Sequence, residues 1–508
     1  MDRKVAFSEQ IEKGYSFEGA SLVLGAAILD GNCLTNQLVR VPLKTLNRHG
    51  LIAGATGTGK TKTLQSIAEN LSEQGIPVLM MDIKGDLSGL AAVGSINEKI
   101  STRHQQIGVP YIAKKFPVEL LSISKENGVR LRATVTEFGP VLFSKILELN
   151  DTQSGLVSLI FKWCDDEQMP LIDLKDFKKV LQYITNDGKE KVQEVYGNIS
   201  STSVSTILRK VIELEQQGAE LFFGETSFDV DDLLRVPSGL GVISIVKLTD
   251  IQDRPKLFST FMLSLLAEVY ASMPEAGDLD KPKLVIFIDE AHLIFNEASK
   301  ALLDQIETII KLIRSKGVGI FFCTQNPADV PAAILGQLGL KVQHALRAFT
   351  ANDRKMIKLT AENYPITDFY DTEELLTSLG IGEAAVTVLS EKGTPTPLVA
   401  TLLTTPRSRM NILSEAESSD IVSNSPLASK YNQEIDRASA FEMLSKKIQS
   451  KVSDPDGEEK NSPTNKKEKS TLEEMMNSPL AKQVGRTLIR ELTRGLFGVL
   501  GIGGAKRR

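Results

Sequence analysis

The 508-residue sequence has only three cysteines, Cys33, Cys164 and Cys323, with no CxxC pair among them. That excludes a disulfide framework and a cysteine zinc site. Histidine is equally scarce: His49, His104, His292 and His344 are scattered, with no i, i+4 ligand pair, so no transition metal is expected. No apolar run approaches the roughly 20 residues that span a bilayer, and residues 1–19 lack the apolar stretch of a signal peptide. A cytoplasmic protein without a membrane span is expected. Basic charge is not in excess: 59 Lys and Arg stand against 64 Asp and Glu, a formal charge of −5. A surface coated in nucleic-acid-binding charge is thereby excluded, whereas a local basic path is not.

What is present is the composition of a globular protein, 42% hydrophobic and 24% charged, at a length that admits several domains. No internal repeat is visible. Residues 1–48 hold two short apolar stretches, Ser21 to Ile28 and Leu38 to Leu43, about the turn-like Asp30-Gly31-Asn32, which predict a small β element. Then come Gly50 to Ala53, the glycine loop GATGTGKT, an amphipathic stretch from Thr63 to Gln74 and an apolar run from Pro77 to Asp82. Strand, loop, helix and strand in that order make a βαβ unit. Further apolar runs at Gly241 to Val246, Lys283 to Ile288, Val318 to Thr324, Lys341 to Arg347 and Ala384 to Leu389 predict a mainly parallel sheet covered by helices on both faces.

Between these strands, Val141 to Phe223 has helical patterning and reads as an inserted helical subdomain within an α/β core spanning 49–405. Residues 406–470 read as a polar linker with short helices, with SDPDGEEKNSPTNKKEKS too polar to form a core. Residues 471–508 read as a basic amphipathic C-terminal helix, and from Lys451 to Arg508 there are 12 basic against 8 acidic residues. Such a tail docks on its own domain or a partner, or meets an anionic surface.

The chemistry is concentrated at two places. Gly54, Ala55, Thr56, Gly57, Thr58, Gly59, Lys60 and Thr61 fit GxxxxGK[ST], a loop whose amides and following helix N-terminus favour phosphate. With Lys62 these residues are the expected nucleotide contacts. Lys60 reaches the β- and γ-phosphates and Thr61 gives its hydroxyl to Mg²⁺, so ATP and Mg²⁺ are the expected cofactors. The apolar run Leu284 to Ile288 ends in Asp289-Glu290, where Asp289 suits the metal and Glu290 suits polarising the attacking water, as in a hydrolysing NTPase. Val318 to Thr324 ends in Gln325; its amide either reports on the γ-phosphate or forms a turn before Pro327. His292 reads as a helix-start residue near the site.

GATGTGKT, LVIFIDEAH and FFCTQNPADVP in this order resemble the HerA–FtsK superfamily of ATPases, and within it bacterial HerA-like proteins of unknown role. The likeness extends to Asp82-Ile83-Lys84-Gly85-Asp86, to HALRAFTANDRK from His344 to Lys355 and to GRTLIRELTRGLFG in the tail. It implies a RecA-like P-loop NTPase assembled as a homo-hexamer with ATP between subunits, each site taking an arginine from its neighbour. Arg314 matches that position, or is an ordinary exposed helix arginine; Arg347 and Arg354 are rivals. Family motors begin with a complete small β-barrel, which residues 1–48 build only in truncated form.

Two functions follow from the resemblance and the charge. One is a ring motor, a translocase or helicase, that moves double-stranded DNA by its phosphate backbone, with Lys84, Lys99, Arg103, Lys114 and Lys115 as candidate grips. The other is an ATPase that energises or remodels a protein partner through an adaptor, as in secretion or conjugation, which the acidic body favours.

Overall fold

The apolar runs in the middle of the sequence become interior strands because they are buried on both faces. The structure is a computed structural model and describes residues 2–453 apart from 298, 299, 434, 436 and 437. The expected C-terminal helix at 471–508 and the distal part of the expected linker lie outside the described residues.

Twelve strands form one sheet: β1 (Ser21–Leu29), β2 (Asn32–Pro42), β3 (Gly50–Ala53), β4 (Val78–Asp82), β5 (Val118–Ser122), β6 (Val129–Arg130), β7 (Ile243–Lys247), β8 (Leu284–Ile288), β9 (Val318–Thr324), β10 (Leu340–Gln343), β11 (Glu383–Thr387) and β12 (Val399–Leu403). Their order is β2-β1-β12-β11-β10-β3-β9-β8-β4-β7-β5-β6. From β10 to β6 every pairing is parallel, and from β10 to β2 every pairing is antiparallel. Every residue of β3, β4, β8 and β9 is buried, which explains their unbroken apolar sequences.

Three expectations change. The N-terminal β element is not separate from the sheet: β1 pairs with β12, Gly25 opposite Leu403, and so joins the antiparallel flank. The run Lys341 to Arg347 yields a strand only to Gln343, because His344 and Ala345 turn aside to bond the glycine loop. The run Ala384 to Leu389 gives β11, which is antiparallel to its neighbours. β5, β6 and β12 were not expected at all.

By residue contacts the chain forms two units, the first comprising residues 2–131, 228–259 and 273–433 and containing the whole sheet. The second holds 132–227, 260–272 and the helix Ala440–Ser453. Its helices Val135–Ile146, Asp151–Asp166, Leu174–Thr185, Lys189–Tyr196 and Ser201–Gln216 begin somewhat before the expected 141. Phe138, Phe143, Phe161, Phe177, Phe222 and Phe223 pack edge-on or tilted in its core. Helix Ala440–Ser453, part of the expected linker, is tied to this unit through Phe441 N donating to Asp176 Oδ1 at 2.8 Å.

The first part of that expected linker is also built in. In the first unit, residues 404–413 run along the helix Lys60–Glu73 and are fastened by polar groups. Buried Glu69 accepts from Arg407 N at 2.7 Å and from Ser408 N and Oγ at 3.0 and 2.5 Å. Burial raises the Glu69 pKa and these hydrogen bonds oppose it. Apolar patterning cannot reveal an attachment made by amides and one carboxylate.

Glu69→Ala strands the amides of Arg407 and Ser408 and the Ser408 hydroxyl, while the Arg407 guanidinium keeps Glu73. It should destabilise the first unit by on the order of 3 kcal/mol, whereas Glu69→Gln, which keeps an acceptor in place, should cost less. Thermal unfolding of both variants checks this, and equal melting temperatures for wild type and Glu69→Ala would refute it.

Candidate functional site

The parallel strands β3 and β9 end level, with Ala53 opposite Thr324, and β8 ends two residues sooner, with Ile288 opposite Phe322. The residues that follow them therefore share one edge of the sheet, the edge where open α/β sheets bind ligands. From β3 the chain enters the loop Gly54–Gly59 and then the helix Lys60–Glu73. Gly54, at φ 148°, passes so close to His344 that a Cβ would lie 2.5 Å from the His344 Cβ. Gly59, at φ 113°, turns the chain into the helix. That helix start has no side-chain cap, so its first-turn amides are available to an anion.

The loop is braced from three sides. Gly54 N donates to Thr324 O at 3.2 Å, Ala55 N to Ala345 O at 2.9 Å, and Gly382 N to Thr58 O at 3.0 Å. Arg103 in turn holds Gly382 and Ile381, donating to their carbonyls at 2.9 and 3.0 Å. Behind the loop, buried His344 shares a 2.9 Å hydrogen bond with Thr63 Oγ1, and burial holds its pKa down at about 4. Within the brace the Lys60 ammonium turns inward to the carbonyls of Gly54 and Ala55, at 2.6 and 3.1 Å. Burial lowers its pKa, and repulsion from Lys84 lowers it further.

Across β9 stand the acids. Asp289 and Glu290 are each 5% exposed. Burial pushes the Asp289 pKa up to about 6 against the pull of Lys84. Glu290 adopts left-handed backbone, φ 47°, an uncommon conformation for a residue with a Cβ and one that clusters at functional sites. Its carboxylate is in contact with the Lys84 ammonium, and the His292 ring Nδ1 lies 3.1 Å from its Oε2. Gln325, at the tip of β9, accepts from Thr56 Oγ1 at 3.3 Å and so bridges to the glycine loop. Asn326 instead caps the turn, accepting from Ala328 N.

The structure thus brings together the loop residues, Lys60, Thr61, Asp289, Glu290, Gln325 and His292. Lys62 points elsewhere, donating to Met410 O at 2.6 Å. Arg314 is exposed and precedes β9, which places it across a seven-residue strand from the site of its own chain, about 23 Å away. Arg347 lines a cleft of about 450 Å³ shared with Ala55, Thr56 and Gln325. Of the five candidate DNA grips, three are otherwise engaged: Lys84 with Glu290, Arg103 with the turn at Gly382, and Lys114 with Glu73 at 2.8 Å. Lys99 and Lys115 are exposed. Sequence reasoning missed His344, and it missed Lys84 as a partner of the acids; the signal for Lys84 was its place just beyond β4, the strand next to β8.

The residues fit a hydrated magnesium ion with a nucleotide. A hydroxyl stands in the first helical turn at Thr61, Asp289 is a carboxylate whose pKa burial raises and whose charged form a cation would favour, and Mg²⁺ is commonly held by one or two carboxylates together with substrate phosphates. The shared sheet edge, the glycine loop and the acid pair one strand removed define a P-loop NTPase fold. The profile of the helicase HerA-like C-terminal family matches residues 29–508, and the chain belongs to that family.

The DNA double-strand break repair helicase HerA of Sulfolobus acidocaldarius is 23% identical over 361 residues, covering 69% of this chain and 64% of that protein. The chain thus spans less than two-thirds of that relative. The DNA import protein CedB of the same organism is 24% identical over 77% of this chain and 58% of its own. In fold, the chain is similar to the plasmid coupling protein TrwB in complex with ADP and Mg²⁺, with a TM-score of 0.51 and 14% identity, over 78% of this chain and 99% of that one. Among the described residues no helix is long and apolar enough to cross a membrane.

The Asp289 shift has a sign that can be checked. Its folded pKa of about 6 lies above the unfolded value of about 3.9, so folding is favoured by its protonation. The stability linked to this group is complete below about pH 4 and is lost as pH rises through about 6. His49 and His344, both held near 4, act in the opposite sense and are common to wild type and variant. Asp289→Asn should therefore raise the melting temperature of the nucleotide-free protein at about pH 7.5 and leave it unchanged near pH 4. A variant less stable than wild type at the higher pH would contradict the assignment.

Proposed function

We propose that the chain is a magnesium-dependent ATP hydrolase working as a ring motor, a translocase or helicase on double-stranded DNA, with ATP bound between subunits of a homo-hexamer in the cytoplasm. The observation that carries this reading is the meeting, at one sheet edge, of a braced glycine loop with its lysine and a buried Asp-Glu pair displaced by one strand.

In this reading Gly54 to Thr61 wrap the phosphates, and Lys60 leaves the Gly54 and Ala55 carbonyls for them. Thr61 and Asp289 hold Mg²⁺, which when bound neutralises phosphate charge. Glu290 takes a proton from water as the water oxygen bonds the γ-phosphorus, and the bridging oxygen departs with ADP. Gln325, linked to Thr56, reports on the terminal phosphate. Arg314, on the far edge of its own sheet, serves the neighbouring subunit's site. DNA as cargo is supported by the likeness to the DNA double-strand break repair helicase HerA and the DNA import protein CedB.

A second reading, an ATPase acting on a protein partner through an adaptor, has two supports: the overall charge of −5, and the internal engagement of Lys84, Arg103 and Lys114. Steady-state ATPase with and without duplex DNA, at about 50 and 200 mM salt, separates the two. A motor on DNA shows stimulation that falls steeply with salt. No stimulation at the lower salt, with turnover intact, sinks the DNA reading.

Glu290→Gln should lower turnover by roughly 100-fold or more while leaving nucleotide binding in place. Arg314→Ala should lower it by about a thousand-fold, and mixing it with excess Lys60→Ala subunits should restore part of the rate. Failure of the mixture to recover any activity, with mixed rings shown by mass, would place the arginine elsewhere.

A further inference from the structure

β4 and β8 run in parallel register, Met81 opposite Ile288, so the residues after them leave the sheet side by side. Asp82 then fixes the turn that follows, its carboxylate accepting from the amides of Gly85, Asp86 and Leu87 at 2.8, 3.1 and 3.2 Å. The backbone at Lys84 is held by that turn, while its side chain remains 38% exposed. That side chain reaches the Glu290 carboxylate and pairs with Oε1, while the His292 ring stands against Oε2. Each oxygen of the group that would accept a proton from water thus has a nitrogen-bearing side chain beside it, though neither is held in a well-formed hydrogen bond.

Burial of the Lys84 ammonium is opposed by the Glu290 carboxylate and by Asp289, with the net result that its pKa rises. The Lys60 ammonium is turned onto the loop carbonyls and the Lys84 ammonium onto Glu290. An anion delivered between them would relieve their repulsion and attract both.

We propose that Lys84 is a movable cation that distinguishes a nucleoside triphosphate from a diphosphate. It pairs with Glu290 until a terminal phosphate arrives, then transfers to that phosphate and frees a Glu290 oxygen for water. This rests on the ATP-hydrolysing reading of the same site. Lysine suits the task because it is a compact charge on a flexible stem whose donors rotate, and because its Glu290 partner is anchored while its own stem is half in solvent.

The test is calorimetric binding of ADP and of a non-hydrolysable ATP analogue, each with Mg²⁺, to the full chain. Lys84→Met should weaken the analogue on the order of ten-fold and ADP by less than about two-fold; Lys84→Arg should recover part of the loss. Glu290→Gln, which releases the lysine in advance, should tighten the analogue alone, and the gain should vanish in the Lys84→Met, Glu290→Gln double variant. An unchanged ratio of analogue to ADP affinity in Lys84→Met overturns the proposal, as does an equal loss for both ligands. Wild-type protein that binds neither nucleotide would overturn the ATP reading as well, so the two failures are distinguishable.

Discussion

The parallel register of three neighbouring strands governs the nucleotide edge. Because β9 lies between β3 and β8, and Asp289 and Glu290 follow β8 alongside the last two residues of β9 while the glycine loop follows β3 at the end of β9, loop and acid pair face each other across the width of one strand. If β3 and β8 were adjacent, the acids would crowd the loop. A slip of one residue in β8 would turn Asp289 and Glu290 to opposite faces from those they now occupy. The fully buried, β-branched and aromatic sequences of β8 and β9 hold that register by packing on both sides. The loop adds its own constraint, hydrogen-bonded to the ends of β9 and β10 and to the turn before β11.

Much of this edge was legible because its chemistry is written in local sequence. A glycine loop between an apolar strand and a helix, and an apolar run ending in two acids, are patterns that neighbouring residues specify by themselves. The strands that were misjudged are those whose identity depends on distant partners. β5 is short and starts with Val118-Glu119, and buried Glu119 is tolerated because Arg235 pairs with it at 2.9 Å. β12 becomes an interior strand only because β1 comes to lie beside it. Lys84 reads as one more surface cation until the order of strands puts β4 next to β8.

The stretch after β12, which reads as a polar linker with short helices, does carry short helices and is also attached along its course, for a physical reason. Segment 404–413 is fastened by Glu69 and Lys62 of the helix that carries the glycine loop, and by bonds such as Arg409 N to Ala92 O at 2.9 Å. Apolar periodicity is silent about such attachments. The helix Ala440–Ser453 is similar in kind, with a buried Asp176 accepting from its first turn. Residues that look like a solvated linker thus have defined places on each of the two units.

The pairing of β1 with β12 also bears on how the chain is made. Ile28 finds its partner Ala400 about 370 residues later, so at a synthesis rate of about 5–20 residues per second the β1–β2 hairpin waits roughly 20 to 75 seconds for its neighbour. During that interval one edge of β1, a strand rich in Leu, Ala and Ile, offers unpaired backbone groups to any other extended chain. The nascent protein is therefore open to pairing with a second copy on the same message, or to capture by a chaperone, until the strand that closes its sheet has left the ribosome.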